Sequence, residues 1–157
     1  MIAAGQKIDT TFRLKVVQNG AVRTVTFGDL LTKRTVVSVY MKNNTPSCDR
    51  QNDSLVEHAA EFDEVGYHLV ALSRDTCGSH VKYAARKGIA YTLASDPDDA
   101  FAKAAGSIVG KSMYGRTYQG PARAAFVIGT DGTVLAVIEK VDTKDHSAQL
   151  KAALAGL

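Results

Sequence analysis

The spacing of apolar and polar positions changes several times along the chain, and each change marks an element. Residues 11 to 27, TFRLKVVQNGAVRTVTF, form two β-rich runs around Asn19-Gly20. Both turn positions tolerate positive φ, so the stretch predicts a tight N-terminal β-hairpin. The run TVVSVY, 35 to 40, is almost continuously apolar, as a strand covered on both faces requires. Over 46 to 63 the period lengthens. Leu55, Ala59 and Phe62 share one helical face with Cys48, which predicts a helix with that face turned inward.

YHLVALS, 67 to 73, reads as a second buried strand and 78 to 87 as a second helix closed by Gly88. A short strand, YTLAS, follows. DPDDAFAKAAG then reads as a helix that begins at Asp96-Pro97 and stops at Gly106, while the Gly-rich stretch 106 to 122 reads as irregular. AAFVIG and TVLAVIEKV flank a Thr-Asp-Gly turn, and KDHSAQLKAALAGL closes the chain as a helix. Strands alternating with helices, then a hairpin and a last helix, predict an α/β sandwich with a mixed central sheet, built as one domain over 1 to 157.

Composition narrows the function. A chain of 157 residues buries roughly two thirds of its unfolded surface and needs no metal or disulfide to fold. The net charge of +3 is mild, and its basic residues are dispersed among carboxylates, which argues against a nucleic-acid footprint. MIAAGQKIDTTF lacks the charged and apolar regions of a leader, and no run is long enough to span a bilayer. A soluble, cytoplasmic chain with no membrane partner is expected. Its two cysteines, Cys48 and Cys77, are too few for a disulfide framework and lack zinc-site spacing. They are either buried hydrophobes or redox groups.

The stretch NNTPSCDRQ, 43 to 51, favours chemistry for Cys48. With Thr45 at the N-cap, its hydroxyl is expected to accept from an orphan backbone N–H; Pro46 takes the first helical position, where its missing donor costs nothing. Cys48 then falls at the third. A helix N-terminus favours the thiolate and lowers a pKa that is ordinarily about 8.5. The site also lies past the carboxyl end of a buried strand, where open α/β sheets bind ligands. The competing reading is that Cys48 packs as a small apolar residue.

Thr-x-x-Cys after a buried strand, continued by Gln51, resembles the peroxidatic motif of peroxiredoxins, specifically the bacterioferritin-comigratory or Q-type branch. LSRDTCGSHVKYAARKGIAYTLASDPD resembles that branch's Ser-Arg-Asp and Ser-Asp-Pro segments, and MYGRTYQGPARAAFVIGTDGTVL its Tyr-Gly-Arg loop and arginine-led strand. The resemblance covers nearly the whole chain. It implies a thioredoxin-like fold and reduction of hydrogen peroxide or small organic hydroperoxides, with no bound cofactor. Cys48 would be the attacking thiolate. Thr45 would hydrogen-bond peroxide and thiolate, Arg123 would hold the thiolate and polarise the oxygen pair, and Gln51 would orient Arg123.

Two positions depart from the family pattern. Met41 stands where the family usually has a proline over the active-site cysteine, and Asp53 where many relatives carry a resolving cysteine. Cys77 is the only other thiol, at a position where some relatives resolve. The resemblance therefore implies a Cys48–Cys77 disulfide, recycled by a thioredoxin-like reductant, in a monomer or weak dimer. Two other readings remain: a one-cysteine peroxidase using an external thiol, and a redox-sensing or binding module that signals through the same link.

Other features weigh less. AGSIVGKS, 105 to 112, fits a loose phosphate-loop pattern but lacks the strand before it and the helix after it. The histidines at 58, 68, 80 and 146 are scattered, with His80 near enough to Cys77 in sequence to assist its thiol. Tyr40, at a strand end, reads as packing or as a pocket wall.

Overall fold

The structure is a computed structural model that describes residues 1–157. Its centre is a seven-stranded sheet. The strands are β1 (Arg13–Gln18), β2 (Ala21–Thr26), β3 (Thr35–Val39), β4 (His68–Ser73), β5 (Thr92–Ser95), β8 (Ala125–Ile128) and β9 (Val134–Ile138), in the spatial order β2-β1-β5-β4-β3-β8-β9. Strands β3, β4 and β5 are mutually parallel, while β1 and β8 pair antiparallel at either side. Parallel neighbours need a crossover. The helices α1 (Pro46–Glu64) and α2 (Cys77–Lys87) supply the two here. The sheet is mixed and flanked by helices, as the alternating pattern predicts.

Local chemistry explains the boundaries. The predicted hairpin forms around Asn19 and Gly20, at φ 51° and 76°, with Gln18 paired to Ala21. Helix α1 begins at Pro46 after N-cap Thr45 and buries Cys48, Leu55 and Phe62 on one face. Ala59, on the same face, is half-buried. Full burial of a Leu or Phe contributes about 1.5–3 kcal/mol each, so this face carries much of the helix's stability. Helix α2 ends at Gly88 in the left-handed conformation that glycine adopts without strain.

The two faces of the sheet are distinct. Val36, Leu69 and Leu93 point toward α1, α2 and the C-terminal helix α4 (His146–Ala155), where Tyr83 and Leu150 join Leu55 and Phe62. Val37, Val39, Leu72 and Phe126 point the other way, against Phe27 and against Phe101 of α3 (Ala100–Ala104). This alternation is the period-2 geometry of a strand covered on both sides.

Two expectations need correction. The stretch 106 to 122 is ordered, with β6 (Ile108–Met113) and β7 (Arg116–Pro121) forming a second, two-stranded sheet closed at Tyr114-Gly115, both at positive φ. Most of the ribbon is exposed, so no apolar alternation marks it in the sequence. The helix expected from Asp96 begins instead at Ala100. Asp96 still caps it, its carboxylate accepting from the N–H groups of Ala100 and Phe101 at 2.8 and 2.9 Å. The phosphate-loop reading also ends here, because residues 105 to 112 run from a helix end into β6.

No helix is long and apolar enough to cross a membrane.

Candidate active site

Strand β3 delivers the chain to a short loop, 41 to 45, and α1 opens immediately after it. The antiparallel neighbour β8 starts beside the end of β3, with Ser38 opposite Ala125 and Val39 N–H bonded to Ala124 O at 2.9 Å. That register sets Arg123 against the first turn of α1. Its Nη1 donates to Gln51 Oε1 at 2.7 Å and contacts Cys48 Sγ at 3.4 Å. Cys48 and Gln51 are buried, and consecutive turns of one helix aim both at the guanidinium.

The thiol environment favours the anion. Burial by itself pushes the Cys48 thiol up. The nearby Thr45 hydroxyl, the backbone at Lys42 and Met41, and the charge of Arg123 together more than reverse that, and the thiol is held below its ordinary value. The fold thus brings Thr45, Cys48, Gln51 and Arg123 together, as the motif reading expects.

One detail of that reading is corrected. The Thr45 hydroxyl does not cap α1. It donates to the Lys42 carbonyl at 2.8 Å, and it is also among the groups that hold the Cys48 thiol down. The N-cap role falls to backbone geometry, with Asp49 N–H bonded to the Thr45 carbonyl at 2.8 Å. Thr45 is extended, at φ −118° and ψ 146°, the backbone conformation usual at an N-cap, and only its side chain departs from that role.

Cys77 stands apart from this cluster. Both thiols are free, and Cys77 opens α2 in a surface depression of about 490 Å³ beside Arg13, Lys15, Ser95 and Asp96. His80 does not serve it. Its Nε2 faces the Ala94 carbonyl at 3.0 Å and its Nδ1 faces Asn43 Nδ2 at 3.1 Å, while burial lowers its pKa and keeps it neutral.

Three residues that sequence reasoning did not single out hold the site. Asn43 is buried in the loop, accepts from the Tyr40 hydroxyl, and donates to Ser79 Oγ and His80 on α2. Tyr40 is accordingly packed rather than a free pocket wall. Ser38 accepts from Gln51 Nε2 at 2.9 Å. Lys111, on the β6–β7 ribbon, reaches over to the sulfur of Met41, the residue in the family's usual proline position. Of these, only Ser38 left a sequence signal, a polar residue inside the apolar run TVVSVY.

Such an arrangement can hold a thiolate and present fixed donors to an electrophile whose departing atom gains negative charge. Comparison with known proteins agrees. The AhpC/TSA family model matches residues 5–137. Peroxiredoxin Bcp of Xanthomonas campestris is 34% identical over 119 residues, covering 76% of this chain and 74% of that one. Among solved structures, peroxiredoxin Q of Xanthomonas campestris superposes with a TM-score of 0.86 at 28% identity, covering 98% of this chain and 97% of that one. A structure of the bacterioferritin comigratory protein of the same organism, concerned with its alkyl peroxide reduction activity through trapped intermediate and ligand complexes, gives 0.85 at 28% identity, with 98% of each chain covered.

Proposed function

This chain belongs to the AhpC/TSA family as a Q-type peroxiredoxin, a thiol peroxidase of thioredoxin-like fold, and from that premise we propose how its own residues carry the reaction. Cys48 is the attacking sulfur. Its thiolate takes the terminal oxygen of a hydroperoxide; the S–O bond forms, the O–O bond breaks, and the departing alkoxide or hydroxide collects a proton. The product is Cys48 sulfenic acid plus alcohol or water.

Arg123 and Thr45 act on the leaving oxygen. As charge moves onto it, donors already aimed at the site stabilise the transition state more than the bound peroxide. Gln51 positions Arg123 by taking one of its N–H groups. The observation that carries the reading is the Arg123 contact with Cys48 at 3.4 Å, braced by Gln51 at 2.7 Å. The substrates are hydrogen peroxide and small organic hydroperoxides, a range supported by the alkyl peroxide reduction ascribed to the Xanthomonas campestris relative.

Cys77 is the resolving thiol. Its thiolate attacks the sulfenic sulfur, an S–S bond forms, and hydroxide leaves as water after protonation. The first turn of α1 unwinds to allow this, since a disulfide needs its Cα atoms within about 7 Å. A thioredoxin-like dithiol then returns two electrons by exchange. No bound cofactor enters any step. The protein works as a single cytoplasmic domain, a monomer or weak dimer.

The test is intact mass after one equivalent of peroxide without reductant. Loss of two hydrogens is expected. Gain of one oxygen, together with full turnover of a Cys77→Ser protein on thioredoxin, would replace this scheme with the one-cysteine peroxidase. A Cys48→Ser protein is expected to consume no peroxide, and persistence of turnover would remove Cys48 from the reaction. Stopped-flow peroxide consumption by the native chain no faster than that of a free thiol would favour the redox sensor.

A further inference from the structure

Behind the Gln51 side chain the hydrogen bonds continue, to the other end of the chain. Gln51 Nε2 donates to Ser38 Oγ at 2.9 Å and to the Val39 carbonyl at 3.2 Å. Ser38 Oγ lies 2.9 Å from His146 Nε2, and His146 Nδ1 lies 3.2 Å from Gln149 Oε1. Ser38, Gln51 and His146 are all completely buried. His146 is the first residue of α4, which docks on α1 where Ser147 bonds the backbone and hydroxyl of Ser54.

The direction of every proton in this row is determined. Gln149 Nε2 donates to the Lys140 carbonyl at 2.9 Å, and Gln149 Oε1 accepts from Asp142 N–H at 2.7 Å. The atom facing His146 is therefore an acceptor, and His146 Nδ1 must carry the proton. A neutral imidazole then offers a lone pair at Nε2, so Ser38 donates its hydroxyl proton there. With its proton committed, Ser38 faces Gln51 as an acceptor only. That holds the Gln51 NH2 group inward and turns Oε1 outward, toward Arg123.

We propose that His146 is a positioning residue for the reactive centre, setting the orientation of the Gln51 amide through Ser38 and thereby the placement of Arg123 on Cys48. The role rests on Cys48 being the attacking sulfur. It explains why a helix far along the chain places an imidazole in the core: an imidazole has one donor and one acceptor on opposite sides of its ring, and this row needs both. The Val39 carbonyl accepts from the same NH2 group at 3.2 Å, longer than the 2.9 Å bond to Ser38; an amide is symmetric in shape, so once the Ser38 bond is lost the orientation is held less firmly and Gln51 can turn its NH2 group toward Arg123 and repel it. A buried network of this kind acts as a unit.

The experiment compares His146→Phe, His146→Gln, Ser38→Ala and the His146→Phe/Ser38→Ala double variant in the full chain. One readout is the pH midpoint of Cys48 alkylation, located by peptide mass, and the other is the second-order rate with hydrogen peroxide. His146→Phe and Ser38→Ala are each expected to raise the midpoint and to lower the peroxide rate roughly ten- to a hundredfold, the cost of misplacing a catalytic group. His146→Gln puts an amide oxygen near the Nε2 position and is expected to restore most of both. The double variant is expected to be no worse than Ser38→Ala alone, because His146 has then nothing to act through.

An unchanged midpoint in Ser38→Ala, or additive effects in the double variant, would overturn the proposal. If His146→Phe does not fold, Ser38→Ala and His146→Gln decide the matter between them. The alkylation midpoint is read without any turnover. A failure of Cys48 as the attacking sulfur would therefore show separately, as peroxide consumption surviving in Cys48→Ser.

Discussion

Arg123 Nη1 lies 3.4 Å from the sulfur of Cys48, although the two residues are 75 positions apart in the chain. Cys48 is delivered by the first turn of α1, Arg123 by the entry to the antiparallel strand β8. Their meeting depends on the β3–β8 register, in which Ser38 faces Ala125. Shifting that register by one residue would carry the guanidinium to the other face of the sheet.

Arg123→Lys is expected to separate charge from geometry. A lysine keeps the cation but lacks the rigid, planar guanidinium that fixes the single Nη1 group meeting both Gln51 and Cys48. The peroxide rate is expected to fall roughly 10²–10³-fold, the cost of losing a fixed donor at developing charge. The Cys48 alkylation midpoint is expected to rise. Stopped-flow kinetics alongside alkylation of the same protein checks both, and a near-native rate would mean that charge alone suffices.

Thr45→Val tests where the hydroxyl points. Loss of a true side-chain cap costs about 1 kcal/mol. Because the Thr45 hydroxyl is not capping α1, the variant is expected to stay within roughly 0.5 kcal/mol of the native stability while its peroxide rate falls about a hundredfold. Urea denaturation and peroxide kinetics on one preparation give both numbers. A stability loss without a rate loss would restore the capping role.

Asn43→Ala is expected to be costly to the fold. The substitution strips the buried Tyr40 hydroxyl and His80 Nδ1 of a partner each. Orphaned buried polar groups cost about 1–3 kcal/mol apiece, so for the two a loss of about 2–6 kcal/mol by urea denaturation is expected. Hydrogen exchange over residues 41 to 45 should speed up as well, since Asn43 N–H is itself bonded to Asp75 at 3.0 Å.

Acid should weaken the fold through its buried imidazoles. Burial is the main cause that holds His80 and His146 below the ordinary histidine pKa. The Ala94 carbonyl and then Asp75 partly oppose it at His80; at His146, Gln149 and Asp142 oppose it while Arg123 reinforces it. The unfolded chain then binds protons that the folded chain refuses. This contribution to stability is complete above about pH 6.5 and is lost as pH falls through that value toward the lowered folded-state pKa values. The urea midpoint is expected to be level from about pH 8 to 7 and to decline below about 6.5, with part of the decline removed in His146→Gln. A level profile down to about pH 5 would contradict it.

Legibility differed from element to element for physical reasons. The hairpin at Asn19-Gly20 and helix α1 after Thr45-Pro46 were legible because a few adjacent residues determine them, through φ preference and through a missing N–H. The β6–β7 ribbon was not, because it buries little and its turn uses Tyr114, at a φ of 52° that a tyrosine rarely adopts. At the site, Thr45, Cys48 and Gln51 lie within the first two turns of one helix and its cap, so their spacing carried their placement. Arg123 could be placed only through a family likeness.

By itself the sequence determined the alternation of strands and helices, the faces they bury, and the position of Cys48 at a helix start, since all three follow from near neighbours along the chain. The tertiary structure alone decided that the Thr45 hydroxyl turns from the helix to the Lys42 carbonyl, that Asn43 ties the loop to α2, and that His146 reaches Gln51 through Ser38. The second depends on where α2 packs beside the loop, and the third on the docking of α4 against α1. A hydrogen bond is satisfied or not within a few tenths of an ångström, and only the packed chain sets distances that finely.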